Sequence, residues 1–124
     1  MIINDEKGAF VMQITGEYER TLKVLISPEV NKGLKELAAG LSIIPPRSRT
    51  DCISHKEGEM FYICEGRGRM TVGDETRDVA GGTVVWVPPG IRHQLSNEGE
   101  EILKTLWVLC PPGRERDIIS NAGE

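Results

Sequence analysis

The sequence predicts an all-β fold, and three observations carry that expectation. The 14 glycines and 7 prolines cut the 124-residue chain into short pieces. Most of those pieces are apolar runs containing β-branched or aromatic residues. A turn signal recurs about every 8 to 12 residues, which is the rhythm of a β-sandwich or barrel. The length suits one domain over residues 1–124, since single domains most often have about 100–150 residues.

The elements follow in order. Thr21 to Ile26 alternates and contains β-branched side chains, as a half-buried strand does. Asn31 to Gly40 is ambiguous: Leu34, Leu37, Ala38 and Leu41 recur at helical spacing, and local propensity favours helix. Leu41 to Ile44 stops at Pro45-Pro46. Met60 to Cys64 is apolar and aromatic and runs to the turn marked by Gly66 and Gly68. Met70 to Val72 meets Gly73-Asp74, a hairpin signal. Gly81-Gly82 opens Thr83 to Val87, which Pro88-Pro89-Gly90 ends in a type II turn. Ile102 to Cys110 is the last long apolar run, closed by Pro111-Pro112. Arg114 to Ser120 reads as a short helix or as part of a surface arm over 111–124.

Composition excludes several functions. A net charge of −4 gives no basic footprint for nucleic acid or an anionic membrane. No apolar run approaches the roughly 20 residues of a membrane span. Residues 1–7 carry acids where a secretory signal has a basic start, so the expected location is the cytoplasm. Cys52, Cys64 and Cys110 form no C-x-x-C pair, and the expectation is three buried free thiols.

The chemistry-bearing residues are few. His55 precedes Glu59 by four positions with Gly58 between them, and His93 follows the Pro88-Pro89-Gly90 turn. Neutral imidazole and carboxylate are the usual ligands of borderline divalent ions, and two His with one carboxylate leave coordination positions open. Taken alone, His and Glu beside turns equally describe ordinary surface residues.

Their neighbours add a pattern. From Gly82 the chain reads G-x5-P-x-G-x2-H-x3-N through Pro88, Gly90, His93 and Asn97 (82–97), which resembles the second motif of the cupin superfamily at every position. The first cupin motif, G-x5-H-x-H-x3-E-x6-G, aligns with about residues 47–66 and keeps His55, Glu59 and Gly66. Arg47 replaces its opening Gly and Ile53 its first His. The resemblance spans about residues 20–112. It implies the cupin double-stranded β-helix, a jelly-roll barrel, and it resolves the ambiguous segment as strand for about Glu36 to Ile44.

The resemblance also implies a metal site. Cupins bind Fe, Mn, Ni, Cu or Zn through two His, a Glu and a later His, so His55, Glu59 and His93 are the ligands expected here, with Glu59 as ligand or catalytic base. Ile53, two residues before His55, shares its side of a strand and puts methyl groups where an imidazole would stand. Three ligands still suffice for a catalytic site. The alternative is an empty barrel in which both histidines hydrogen-bond to Glu59.

Alternation extends the pocket. Phe61 and Ile63 follow Glu59, and Leu95 follows His93, on the cavity side. Lys104 facing water aims Leu103, Thr105, Trp107 and Leu109 inward and leaves Ile102, Leu106 and Val108 on an apolar outer face. Trp86 and Trp107 read as core, and Asn97 as serving a turn. Arg49 and Asp51 share parity with His55; an inward arginine would hold a substrate carboxylate or phosphate. A bend after Pro46 that turns Arg47 and Arg49 to solvent is the favoured alternative. Many cupins dimerise, so a homodimer is expected. The function implied is a metal-dependent enzyme acting on a small oxygenated molecule, of dioxygenase, isomerase, decarboxylase or lyase type. The alternative is a non-catalytic sensor or small-molecule-binding module, because residues 55–74 also resemble the sensor domains of cupin-containing regulators.

Overall fold

A computed structural model describes residues 1–122; residues 123 and 124 of the C-terminal segment lie outside the described residues. Among the described residues nine strands form two antiparallel sheets: β1 (Phe10–Ile14), β2 (Arg20–Ile26), β3 (Ala38–Ile44), β4 (Gly58–Glu65), β5 (Arg67–Val72), β6 (Glu75–Ala80), β7 (Val84–Val87), β8 (His93–Asn97) and β9 (Leu103–Cys110). The larger sheet has the order β1-β2-β3-β9-β4-β7 and the smaller one β6-β5-β8. The core between them gathers Leu22, Val24, Ile44, Phe61, Ile63, Met70, Leu95 and Leu103 among others. The all-β expectation holds, with two antiparallel sheets sharing one core.

Strand β9 alternates as its sequence predicts. Leu103, Thr105, Trp107 and Leu109 are buried, while Lys104, Leu106 and Val108 are half-buried on the opposite face. The inward hydroxyl of Thr105 is satisfied by donating to the Tyr62 carbonyl at 3.1 Å.

The ambiguous segment is strand from Ala38, preceded by turns and no helix. Gly40 explains why tertiary context defeats local propensity. It pairs with Trp107 across β3–β9, and a Cβ there would lie 2.2 Å from the Trp107 ring and 2.0 Å from the Lys23 carbonyl. The position thus serves close approach of an indole to a sheet.

The Pro45-Pro46 stop is a turn closed by the Ser48 N–H on the Pro45 carbonyl at 3.2 Å. Its third residue, Arg47, adopts φ 68°. That left-handed conformation is where glycine fits without cost, and Arg47 is the position at which the motif has glycine. The turn survives the substitution under strain.

Two expectations change. The three cysteines are free but exposed. Cys64 and Cys110 share parity with the outward residues Tyr62 and Val108, so strand alternation overrides the apolar character of the thiol. Trp86 is 54 % exposed and lies outside the core, because Val87 takes the inward position and the Trp86 ring covers Gly58 on the outer face. Of the two readings of the C-terminal segment, its described residues take the short helix. Its helix α1 (Glu115–Ser120) packs on β1 and β2, with Ile118 in the core. Strand β1, which pairs with β2, escapes the sequence reading because only five residues precede its turn.

Candidate metal centre and its cavity

Backbone pairing brings the two motifs together. Residues 48–53 run beside β8: Thr50 N–H donates to the Leu95 carbonyl, and Ile53 and His93 exchange both backbone hydrogen bonds, at 3.2 and 2.9 Å. The next link is the Gly90 N–H, which donates to the His55 carbonyl at 2.8 Å, tying the proline turn of the second motif to the histidine of the first. Gly90 has φ 81°, and Ile91 N–H closes the turn on the Pro88 carbonyl, as the type II expectation requires. His93 then opens β8, and Glu59 stands at the start of β4 opposite Val87.

The donor atoms of His55, Glu59 and His93 all lie within 4.8 Å of one another. His55 Nε2 is 3.0 Å from Glu59 Oε1 and His93 Nε2 is 3.3 Å from the same oxygen. The rings stand edge to face with centroids 5.0 Å apart. Each Nδ1 faces a backbone carbonyl, Glu57 O at 2.9 Å and Ile91 O at 3.0 Å. A carbonyl only accepts, so both Nδ1 atoms carry the proton and both Nε2 atoms present lone pairs inward. This fixed tautomer is how metal-binding histidines are oriented.

Three buried lone-pair donors pointing at one another repel unless a cation lies between them. The donor set therefore fits a divalent ion, and a proton is the substitute. The Glu59 hydrogen bond holds the His55 imidazolium above its ordinary value of 6.5, against burial and the nearby charge of Arg114. Burial pushes Glu59 up, but hydrogen bonds and charge from His55 and His93 outweigh it and leave the carboxyl below its ordinary 4.5.

These residues line a cavity of about 190 Å3. Ile53, Phe61 and Trp107 supply apolar wall, and Phe61 and Trp107 are direct partners across β4–β9. The missing fourth ligand is thus a side chain that faces the cavity. Ile63 and Leu95 keep the inward parity expected of them but lie in the solid core beyond that wall and do not line the cavity. Arg49 does not line it either. It pairs with Glu17 and stacks on Tyr18, 5.5 Å from the ring centroid, because the chain bends after Pro46 as the solvent-facing alternative expects. Asp51 does line the cavity, held by Arg20 at 3.0 Å.

Arg20, Arg114 and Glu115 are cavity residues that the sequence reading misses. A signal for Arg20 exists: it shares parity with the inward Leu22 and Val24. No comparable signal marks the other two, which come from the C-terminal helix. Glu115, 1 % exposed, accepts from Ser27 Oγ and from Gly113 N–H, both at 2.6 Å, and so anchors that helix over the cavity. Asn97 donates from Nδ2 to the Ile44 and Glu101 carbonyls at 2.8 Å and accepts from Gly99 N–H, so it knits a turn, as expected.

Comparison with known proteins places this geometry. The cupin domain family model matches residues 40–109. An uncharacterized protein of Methanocaldococcus jannaschii is 35 % identical over 97 residues, 77 % of each chain. The crystal structure of a predicted oxalate decarboxylase from Thermotoga maritima superposes with a TM-score of 0.78, covering 90 % of this chain and all of that one, at 22 % identity. A cupin-2 domain protein from Rhodospirillum rubrum gives 0.74 at 23 % identity, covering 83 % of this chain and 70 % of that one. At these identities the structural likeness is one of fold.

Proposed function

The chain belongs to the cupin domain family, and from that premise we propose that it is a metal-dependent enzyme acting on a small oxygenated molecule, with His55, Glu59 and His93 as the ligands of one divalent ion. The observation that carries this reading is the convergence of two Nε2 atoms on one buried carboxylate oxygen, with both Nδ1 atoms facing backbone carbonyls. Such a set is short of a cation.

A divalent ion held there supplies Lewis-acid polarisation of a substrate oxygen or activation of oxygen. The protein's own contributions are separable. Glu57 and Ile91 carbonyls fix the imidazoles. Ile53, Phe61 and Trp107 exclude water from one side of the substrate and leave that side of the coordination sphere without a protein ligand. Glu59, whose Oε1 faces both histidines, is the carboxylate that would hold a substrate proton. Decarboxylase, isomerase, dioxygenase and lyase reactions all use these parts. The Thermotoga maritima neighbour's description favours trying small acids first.

The test is elemental analysis of the purified protein and of His93→Ala, followed by turnover assays on sugars, uronates and small acids with and without chelator. About one metal per chain, lost in the variant, together with chelator-sensitive turnover is the expected result. No metal in either protein would sink the reading. Saturable ligand binding without turnover would move the chain to the sensor alternative.

We also place a second copy of the chain on the outer face. Tyr62 and Val84 are direct partners there, 42 % and 60 % exposed, next to the Met60–Trp86 pair on the edge strand β7. An apolar patch on a strand edge is a natural surface for pairing between copies. A monomer mass in solution would reject this.

A further inference from the structure

The His55–Glu59–His93 cluster accounts for part of the cavity and leaves a second group of charges unexplained. Arg20 lines the same cavity with its side chain 8 % exposed. Its Nη1 donates to the Tyr18 carbonyl at 2.9 Å and its Nη2 to Asp51 Oδ1 at 3.0 Å. Its Nε–H, also buried, donates to nothing, and it is the one buried side-chain polar atom left without a partner among the described residues. A buried donor on a charged group is costly to leave unmade, so this one calls for an acceptor.

Arg114 lines the cavity as well. No ion pair or side-chain hydrogen bond joins it to another described residue, whereas its neighbour Arg116 is paired with Glu29. Of the other carboxylates that line the cavity, Asp51 is committed to Arg20 and Glu115 to Ser27 and Gly113, while Asp117 on the same helix has no side-chain partner among the described residues. Two guanidiniums with unused donors thus share a cavity with a cation-seeking cluster, and Ile53, Phe61 and Trp107 form wall in that same space. That wall suits a carbon skeleton. A cavity of about 150 Å3 admits benzene, so 190 Å3 holds roughly six to nine non-hydrogen atoms.

We propose that Arg20 and Arg114 form an anion subsite that takes the carboxylate of a small organic acid, whose other oxygen donor faces His55, Glu59 and His93. The guanidinium fork is matched to a planar carboxylate, and its position is preset by Tyr18 and Asp51. The assignment rests on the metal-site reading for the second half of the substrate and, for the first, on two guanidiniums lining one cavity, with Arg20 short of one acceptor and Arg114 without a side-chain partner among the described residues.

The experiment titrates malonate, its neutral diamide malonamide, and inorganic phosphate into the protein as purified, with metal content measured on the same sample. Malonate should bind saturably and malonamide at least about tenfold more weakly, the lower range for a hydrogen bond to a charged group. Arg20→Gln and Arg114→Gln should each weaken malonate by roughly 10- to 100-fold with metal content unchanged. Should Arg20→Gln fail to fold, Arg114→Gln decides, since that side chain has no partner to lose. Malonate affinity equal to wild type in the folded variants, or no malonate binding at all, overturns the subsite. Phosphate bound with the same arginine dependence while malonate is refused overturns the carboxylate assignment. Arginine-dependent malonate binding without metal upholds the subsite and removes the metal reading. Metal binding with arginine-independent malonate does the reverse.

Discussion

Two charged clusters line one cavity, and they are incomplete in opposite senses. His55, Glu59 and His93 bring together lone pairs and lack a cation. Arg20 and Arg114 bring together N–H donors, among them an Arg20 Nε–H that lacks an acceptor. A pocket with only the first deficit is a plain metal trap, and one with only the second is a plain anion trap. On the proposed reading, both deficits in one small space with apolar wall call for a ligand with one metal-seeking end and one anionic end. The difference teaches that the cavity is built around what it holds, since each cluster is expensive when empty.

The comparison breaks most sharply at the histidines. Replacing His93 by Ala should lower metal affinity by more than about 100-fold, beyond the upper range for losing a mere supporting bond, while malonate retains its arginine dependence. Competition with a chelator of known affinity measures it.

Ile53→His sharpens the comparison in the opposite direction. Ile53 faces the cavity and is paired through its backbone with His93, so an imidazole there adds a fourth donor to the lone-pair cluster. Metal affinity should rise, by roughly tenfold or more on the scale of single-group effects at metal sites, and turnover should fall as an open coordination position closes. The same chelator competition, paired with an activity assay, reads both.

Acidity separates the clusters without mutation. The pKa of His55 is raised in the folded state, so its stabilising contribution is complete below the unfolded value near 6.5 and is lost as pH rises through the folded value above it. Glu59 is depressed, so its contribution is present above 4.5 and disappears as pH falls through its lower folded value. The metal-free protein should therefore be most stable between those limits. Metal affinity should run the other way and increase from pH 5 to 8, because a bound ion displaces the proton that His55 retains. Thermal unfolding across pH with and without metal checks both slopes.

Smaller effects test the frame around the clusters. Glu115→Ala strips the buried carboxylate that holds Ser27 and Gly113, and should cost about 1–3 kcal/mol of stability while loosening the Arg114 side more than the histidine side. Denaturant unfolding and malonate titration together resolve that asymmetry. Arg47→Gly relieves the left-handed turn and should gain about 1 kcal/mol, with metal and anion binding unaltered.

The two clusters also differ in how far they could be read from sequence. His55, Glu59 and His93 are legible because motif spacing is a local property: the proline-glycine turn and the strand starts that place them are written beside them. Phe61 and Trp107 follow by alternation along β4 and β9. The same alternation carries Ile63 and Leu95 inward but cannot tell lining from core, since that depends on where opposing side chains run out. It fails for Arg49, because residues 48–53 pair irregularly with β8 after a strained turn and leave that side chain with Glu17 and Tyr18. Arg20 was available by parity with Leu22 and Val24, yet an arginine at the first position of a strand reads as a solvated end. Arg114 and Glu115 carried no readable sign, since their facing is fixed by Ile118 docking on β1 and β2.

By itself the sequence determined an all-β fold and its turns, because strand period and glycine and proline stops act over a few residues, while the barrel type and the three candidate ligands came from the resemblance of its motifs to the cupin pattern. The tertiary structure alone decided that Gly40 lies beneath Trp107, that the cysteines and Trp86 face out, and that the C-terminal helix closes the cavity with the arginine at its start. Those outcomes depend on which surfaces meet across the fold. Burial is settled by contacts between distant segments, and a local pattern does not encode the partner.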